Sequence, residues 1–494
     1  MLESSPGLTW LLGTVIVLYV AGMYGLAFAV RGRIHSTEDF LVAGRRLPLP
    51  LASATLLATW FGAGTILAVA DEVRREGFRP AALDPIGAGF CLILAGLFFA
   101  KPLWKMSLLT LSDFFRQRFG PTAEILSACI MVPTYFGWVA AQLVALAGLL
   151  ELFFGIDPTV GILLVAVVAM GYTLLGGMWS VTLTDAFQIA LVLAGVVVLA
   201  VTVLGRLGDG SIYLGLLRIK EETPSPMLVV IPTDSFRSFV GWIALFCVGA
   251  LGNIPGQDLM QRIFAAKSAA VAQWASIIAG VAYLTFGLIP VLLGLAARLL
   301  VPESVAGAIL PTLASLFLSP PILIIFTVAL ISAVLSTIDS AILSPASVLS
   351  QNIFQRFNRD RIESLTLNRI AIVLVTAGSV GFAFQGESAY TLLEDAYELP
   401  LVALFIPLAL GLKTKSPRAK SSRERPAVAA MLVGSILWLV HYVAGWEYFV
   451  EPLASEWEAF LPVSLSITLV SLLAYLIGNT GRPNGEARSN PPPR

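Results

Sequence analysis

Thirteen stretches of this chain stay apolar long enough to cross a bilayer, which takes about 20 residues of helix. They lie near 8–30, 49–70, 81–104, 122–153, 157–176, 180–205, 238–258, 272–300, 318–351, 366–385, 391–412, 426–446 and 460–478. In hydrocarbon every backbone N–H and C=O must find a partner within the protein, so continuous apolar runs of this kind cross as helices. The expected fold class is an all-α polytopic membrane protein with about 13 transmembrane helices. The composition agrees: 57% hydrophobic, 13% charged and a mean hydropathy of +0.85 exclude a soluble domain.

The net charge of zero conceals an ordered distribution. Arg31, Arg33, Arg45 and Arg46 follow the first run, and Lys101, Lys105, Arg116 and Arg118 the third. Arg356, Arg359 and Arg361 follow the ninth, and six Lys and Arg between 413 and 425 the eleventh. These are alternate loops, and basic loops stay in the cytoplasm. Acids occupy the opposite loops, among them Glu221, Glu222, Glu394, Glu447 and Glu451. An outside N-terminus, a cytoplasmic C-terminus and the cell membrane are expected, and an odd number of spans fits. The first run lacks a basic leader region and reads as a retained span. Cys91, Cys129 and Cys247 have no metal-ligand spacing and read as packed, reduced thiols, and the tail over 479–494 reads as disordered.

Two runs are interrupted by backbone-loosening residues. The second contains Thr59, Trp60, Phe61, Gly62, Ala63, Gly64 and Thr65; the seventh contains Gly249, Gly252, Asn253, Pro255 and Gly256 before Gln257. Each opens a block of five runs, 49–205 and 238–412, and an odd number places the second block upside down relative to the first. Paired breaks in inverted blocks point to a secondary transporter whose site lies at the midplane; a single kink or close helix crossing would not call for the pair. The remaining parts are 1–48 (first span and cytoplasmic loop), 206–237 (extracytoplasmic loop), 413–425 (basic cytoplasmic loop) and 426–478 (two peripheral spans). The ninth run adds ISAVLSTIDSAILSPAS, which puts hydroxyls and an acid at membrane depth. Ser336, Ser340, Ser344 and Ser347 share one helix face, either as the wall of a polar site or as a small-residue packing face.

The strings FLVAGRRLP (40–48), ATWFGAGT (58–65), TLSDFFRQRFG (110–120), YTLLGGMWSVTLTDAFQ (172–188), GNIPGQDLMQRIFAAKS (252–268) and SAVLSTIDSAILSPAS (332–347) resemble, in this order, the sodium:solute symporter family. ATWFGAGT, LAGLFFAKP (94–102) and GNIPGQ are similar to its high-affinity choline transporter branch. The resemblance implies a LeuT-type five-plus-five inverted repeat and Na+ as the coupling ion, with no organic cofactor. It also implies a sodium site made by the carbonyls of Leu57, Trp60 and Ala333 and the hydroxyls of Ser336 and Thr337. Asp185 would stand close by as a charge or acceptor, or else at a helix start facing the cytoplasm.

For the solute, candidate contacts are Trp60, Gly62, Gly64, Trp138, Gln142, Gly256, Gln257 and Asp84. Aromatic faces favour a cation; Trp60 and Trp138 match tryptophans of the choline branch, whereas Gly256 stands where that branch has tryptophan. Asp84 either receives an amine or caps the third span at the outer surface, and Asp339 either faces an inner exit or pairs with a base. The expected partners are a small organic solute (amino acid, quaternary amine, organic acid or similar) and the lipid bilayer, with no nucleic acid and no obligate protein partner. An enzyme lacks parts, since His35 and His441 stand alone. A proton-coupled symporter and a non-transporting sensor are the alternatives.

Overall fold

The structure, a computed structural model, describes residues 6–302, 308–358, 361–385, 389–413, 420–446, 448–449 and 462–480. The expected disordered tail falls, from 481 on, outside the described residues. Among the described residues ten helices are long and apolar enough to cross a membrane: Thr9–Arg33 (span 1), Arg79–Trp104 (span 3), Pro121–Phe154 (span 4), Pro158–Leu207, Ala269–Leu300 (span 8), Pro320–Asn358 (span 9), Ser364–Ala383 (span 10), Ala396–Lys413 (span 11), Glu424–Ala444 (span 12) and Val463–Thr480 (span 13). Two bent pairs add span 2, Leu49–Trp60 with Gly64–Glu76 at 53°, and span 7, Phe236–Gly252 with Gln257–Ala265 at 41°. Both bends fall at the glycine-rich interruptions that the sequence singles out.

Pro158–Leu207 has 50 residues, which as one rod would measure about 75 Å against a hydrocarbon core of about 30 Å. It turns instead at Gly177, whose φ of 50° and ψ of −151° lie in a region only glycine occupies readily. Span 1 records the reversal. The Tyr24 hydroxyl donates to the Val168 carbonyl at 2.9 Å, Gly176 faces Ala27, and Gln188 meets the Tyr19 hydroxyl, back along the same helix. The two arms are therefore spans 5 and 6, and the chain has the thirteen crossings expected.

Spans 12 and 13 pack on each other and on span 11, with the Ser471 hydroxyl on the Ala430 carbonyl at 3.1 Å. Inside the bundle, the start of span 2 is tied to the end of span 7: Leu47 donates to the Ala265 carbonyl at 3.0 Å, and Lys267 donates back to Leu47 at 2.9 Å. The two broken spans thus share one anchor. The loop expected over 206–237 carries a helix of its own, Ile212–Glu222, capped by the Ser211 side chain on the Leu214 amide. The three cysteines are free thiols, but Cys129 lies on the exposed face of span 4 rather than packed inside.

A Cβ at Gly177 would sit 2.6 Å from the Phe40 carbonyl oxygen. Gly177→Ala should therefore destabilise the protein by roughly 1–3 kcal/mol, read as a lower thermal midpoint in detergent. A wild-type midpoint would mean that the turn tolerates a side chain.

Candidate sodium and solute sites

The first break is held open by one side chain. After Trp60 the Gly62 amide turns to the Trp60 carbonyl at 2.9 Å, and the Ala63 amide bonds the Gln142 side-chain oxygen at 2.9 Å. The carbonyls of Ala58 and Thr59 thereby lose the amides that would continue the helix. Gly62 is required, since a Cβ there would press on Thr337 and stand 3.0 Å from the Gln142 oxygen. Gly64 opens the second arm of the span.

Span 9 lies along this break. The Thr337 hydroxyl reaches its own Ala333 carbonyl at 3.2 Å and the Thr59 carbonyl at 3.4 Å. The Ser336 hydroxyl donates to one oxygen of Asp185, and the Thr55 hydroxyl to the other. Ala333, Ser336, Thr337 and Asp185 are thus brought together against span 2. The span-2 oxygen that meets Thr337 is that of Thr59. The Leu57 carbonyl takes the Phe61 amide at 2.9 Å, and the Trp60 carbonyl takes the Tyr283 hydroxyl at 3.1 Å. Asp185 is no surface charge at a helix start: it is fully buried in span 6, beyond the Gly177 turn.

Arg262, on the second arm of span 7, is 1% exposed and stands 3.7 Å from the Asp185 carboxylate. Its Nε donates to the Thr55 carbonyl at 3.3 Å, its Nη1 to the Asp258 carbonyl at 3.1 Å and its Nη2 to the Ser340 hydroxyl. The serine face of span 9 docks along the same arm. Gln261 accepts from Ser344 at 3.1 Å, and Gln257 donates to Ser347 at 3.0 Å. Ser340, Ser344 and Ser347 thus each meet a polar side chain of this one helix, as the packing-face reading of the stripe expects. Gln257 also accepts the Leu111 amide at 2.7 Å, so its carboxamide clamps spans together instead of reaching a solute. Asp339 is buried beside the Ser340 hydroxyl at 3.3 Å and makes no ion pair among the described residues, which does not match the second of its two readings, a basic partner.

Asp84 forms a separate cluster. Its carboxylate accepts from the Tyr283 hydroxyl at 2.7 Å and the Thr65 hydroxyl at 3.0 Å, both beside the Trp60 carbonyl. The side chain is buried and caps no helix, which removes the outer-surface reading: its backbone is extended, so the carboxylate turns in toward the first break.

The second break opens onto a narrow cleft with a cavity volume of about 20 Å³, bounded by Tyr135 and Trp138 of span 4, by Asn253, Gly256 and Asp258, and by Tyr397 of span 11. Of the expected solute contacts, Trp138 and Gly256 are here. Trp60, Gly62 and Gln142 belong to the first break. Thr55, Asp258, Arg262 and Tyr283 carry much of the polar geometry and were not singled out by the sequence. The signal available was four polar residues in or beside apolar runs.

The sodium:solute symporter family profile matches residues 40–392. The chain belongs to the sodium:solute symporter family. It is similar to the high affinity choline transporter 1 of Homo sapiens, at 30% identity over 77% of this chain and 67% of the relative. It is also similar to the sodium/pantothenate symporter of Escherichia coli (strain K12), at 26% identity over 94% and 95% of the two chains. Among solved structures, an outward-open, substrate-bound Na+-coupled sialic acid symporter superposes with a TM-score of 0.71 at 18% identity, covering 96% of this chain and 97% of that one. A nucleobase-cation-symport-1 family transporter in a closed conformation gives 0.57 at 16% identity over 90% and 95%. The fold of this symporter is accordingly the LeuT type, and sodium-coupled symport of a small solute is the activity of the class to which it belongs.

Removing the guanidinium would leave Asp185 without its counter-charge at membrane depth, and breaking a buried pair costs about 3–5 kcal/mol. Arg262→Gln should sharply reduce the folded yield of the symporter, and Asp185→Asn in the same chain should recover part of it. Size-exclusion profiles and thermal midpoints of the two single variants and the double variant give the comparison; additive losses would show that the pair is not coupled.

Proposed function

We propose that this symporter imports a small organic solute across the cell membrane together with sodium, its N-terminus outside and its C-terminus in the cytoplasm. The observation that carries the reading is the meeting of the first break with span 9, where Ala333, Ser336, Thr337, the freed Thr59 carbonyl and Asp185 converge. Sodium is a hard cation and takes about five or six oxygens. Neutral carbonyls and hydroxyls would replace its hydration shell, and Asp185, reached through Ser336, would supply the charge that makes a cation welcome. Leu57 and Trp60, both at the end of the same helical arm, complete the set that the family resemblance implies once their present bonds exchange.

The solute occupies the cleft at the second break. Sodium joining span 2 to span 9 orders the first break, and the shared anchor at Leu47 and Ala265 couples that ordering to span 7. Alternating access then follows from rocking one block of spans against the other. At about 100 mV one charge gains roughly 2.3 kcal/mol. A tenfold sodium gradient adds roughly 1.4 kcal/mol, so each ion supports roughly 500-fold solute accumulation. Basic loops after spans 1, 3, 9 and 11 support the orientation.

A proton in place of sodium is the competing driver, favoured by Asp84, which is buried among hydroxyl groups. Proteoliposomes supplied with external candidate solutes and given an inward sodium gradient or an inward pH gradient separately distinguish the two. Accumulation is expected with sodium and not with the pH gradient alone; the opposite pattern would overturn the assignment. Replacing Ser336 and Thr337 together by Ala should raise the sodium concentration for half-maximal uptake by at least tenfold, with the monodisperse fold retained. Unchanged sodium dependence would move the ion elsewhere.

A further inference from the structure

The cleft at the second break contains a carboxylate that the sodium site does not use. Asp258 is the second residue of the second arm of span 7, and one oxygen accepts from the Tyr135 hydroxyl at 2.6 Å. The same hydroxyl accepts the Asp258 amide at 3.0 Å, which fixes the side chain against span 4. Asp258 is 5% exposed, and it borders the cleft. Among the described residues it has no ion pair. Arg262, one turn further on, spends its Nη1 on the Asp258 backbone carbonyl and turns Nη2 to Ser340 and Asp185.

Gly256 makes this arrangement possible. A Cβ at that position would stand 2.7 Å from the near oxygen of Asp258 and 2.9 Å from the Asn253 carbonyl, closer than any packed side chain approaches. A side chain at 256 and the carboxylate in its present place exclude each other. The two residues therefore act as one device, in which space left by a glycine is given to an anion.

The chemistry of that device selects its ligand. An anion in a water-poor cleft favours a cation, and a carboxylate oxygen with free lone pairs favours one that donates N–H bonds, since charge-assisted hydrogen bonds are about twice as strong as neutral ones. A quaternary ammonium has no N–H to give and relies on aromatic faces alone. We propose that the solute of this symporter carries a protonated primary or secondary amine, whose N–H groups donate to Asp258 while its carbon skeleton lies against Tyr135, Trp138 and Tyr397. The inference rests on the cleft being the solute site. The cleft volume of about 20 Å³ is room for about one water, so the cleft must widen around its ligand, which favours a compact amine.

The test uses the purified full chain in detergent and measures thermal midpoints against ethanolamine, N-methylethanolamine, putrescine, choline and ethylene glycol, each with and without sodium. A sodium-dependent rise is expected for the three N–H amines at concentrations at least tenfold below those choline needs, and none for the glycol. Asp258→Asn keeps the shape and the Tyr135 contact but removes the charge. It should weaken the amines by roughly 10- to 100-fold and abolish their advantage over choline, with the shift produced by sodium alone unchanged. Gly256→Ala should do the same by displacing the carboxylate. Choline acting as well as the amines, no response to any amine, or an unaltered ranking in Asp258→Asn overturns the proposal. A protein that responds to sodium but to no amine leaves sodium symport standing, whereas one that responds to neither removes the wider reading as well.

Discussion

The bundle depends on one guanidinium that never meets water. Arg262 holds the Thr55 carbonyl of span 2, Asp185 of span 6, Ser340 of span 9 and the first turn of its own broken helix. A buried charge is tolerated only when its donors are satisfied and an opposite charge is close, so these four segments must sit where its five N–H groups point. The remaining polar geometry follows from that. Asp185, neutralised on one edge, turns its two oxygens toward Thr55 and Ser336, and this alignment sets the height at which span 9 meets the first break.

The two breaks use the same physical device with different side chains. An unwound turn at membrane depth strands amides and carbonyls that lipid cannot serve. At the first break the Gln142 carboxamide takes the stray Ala63 amide, which leaves neighbouring carbonyls exposed to a cation. At the second break the Tyr135 hydroxyl takes the Asp258 amide, and the carboxylate is left facing the cleft. Both partners come from span 4, two turns apart, so a single rigid helix sets the spacing between the place suited to the ion and the place suited to the solute.

The fold was legible because lipid imposes a coarse code. Apolar length gave the crossings, and Gly62, Gly64, Gly252 and Gly256 marked where helices give way. The polar side of span 9 that meets the first break was legible too, since Ser336 and Thr337 are costly in an apolar run unless they serve a purpose. What escaped lay just past the apparent end of a span. Asp258, Gln261 and Arg262 lower the local hydropathy, so span 7 read as finished at 258, whereas its helix continues buried to Ala265. A charge that is neutralised by a carboxylate on another helix looks, in one dimension, like the beginning of a loop. Gln142 and Gln257 show the converse: an amide in an apolar run announces a buried partner, but its sequence position does not say whether that partner is a solute or a peptide group.

The turn at Gly177 has a mechanical meaning. Spans 5 and 6 are joined through a single residue, with no intervening loop to absorb displacement. Any tilt of one arm must be transmitted to the other at that edge, as in a folded strip creased at one line. The far ends can splay while the crease stays shut. Asp185, eight residues beyond the crease, has a short lever arm, so in the proposed rocking motion the carboxylate at the proposed ion site shifts less than the far ends of the arms.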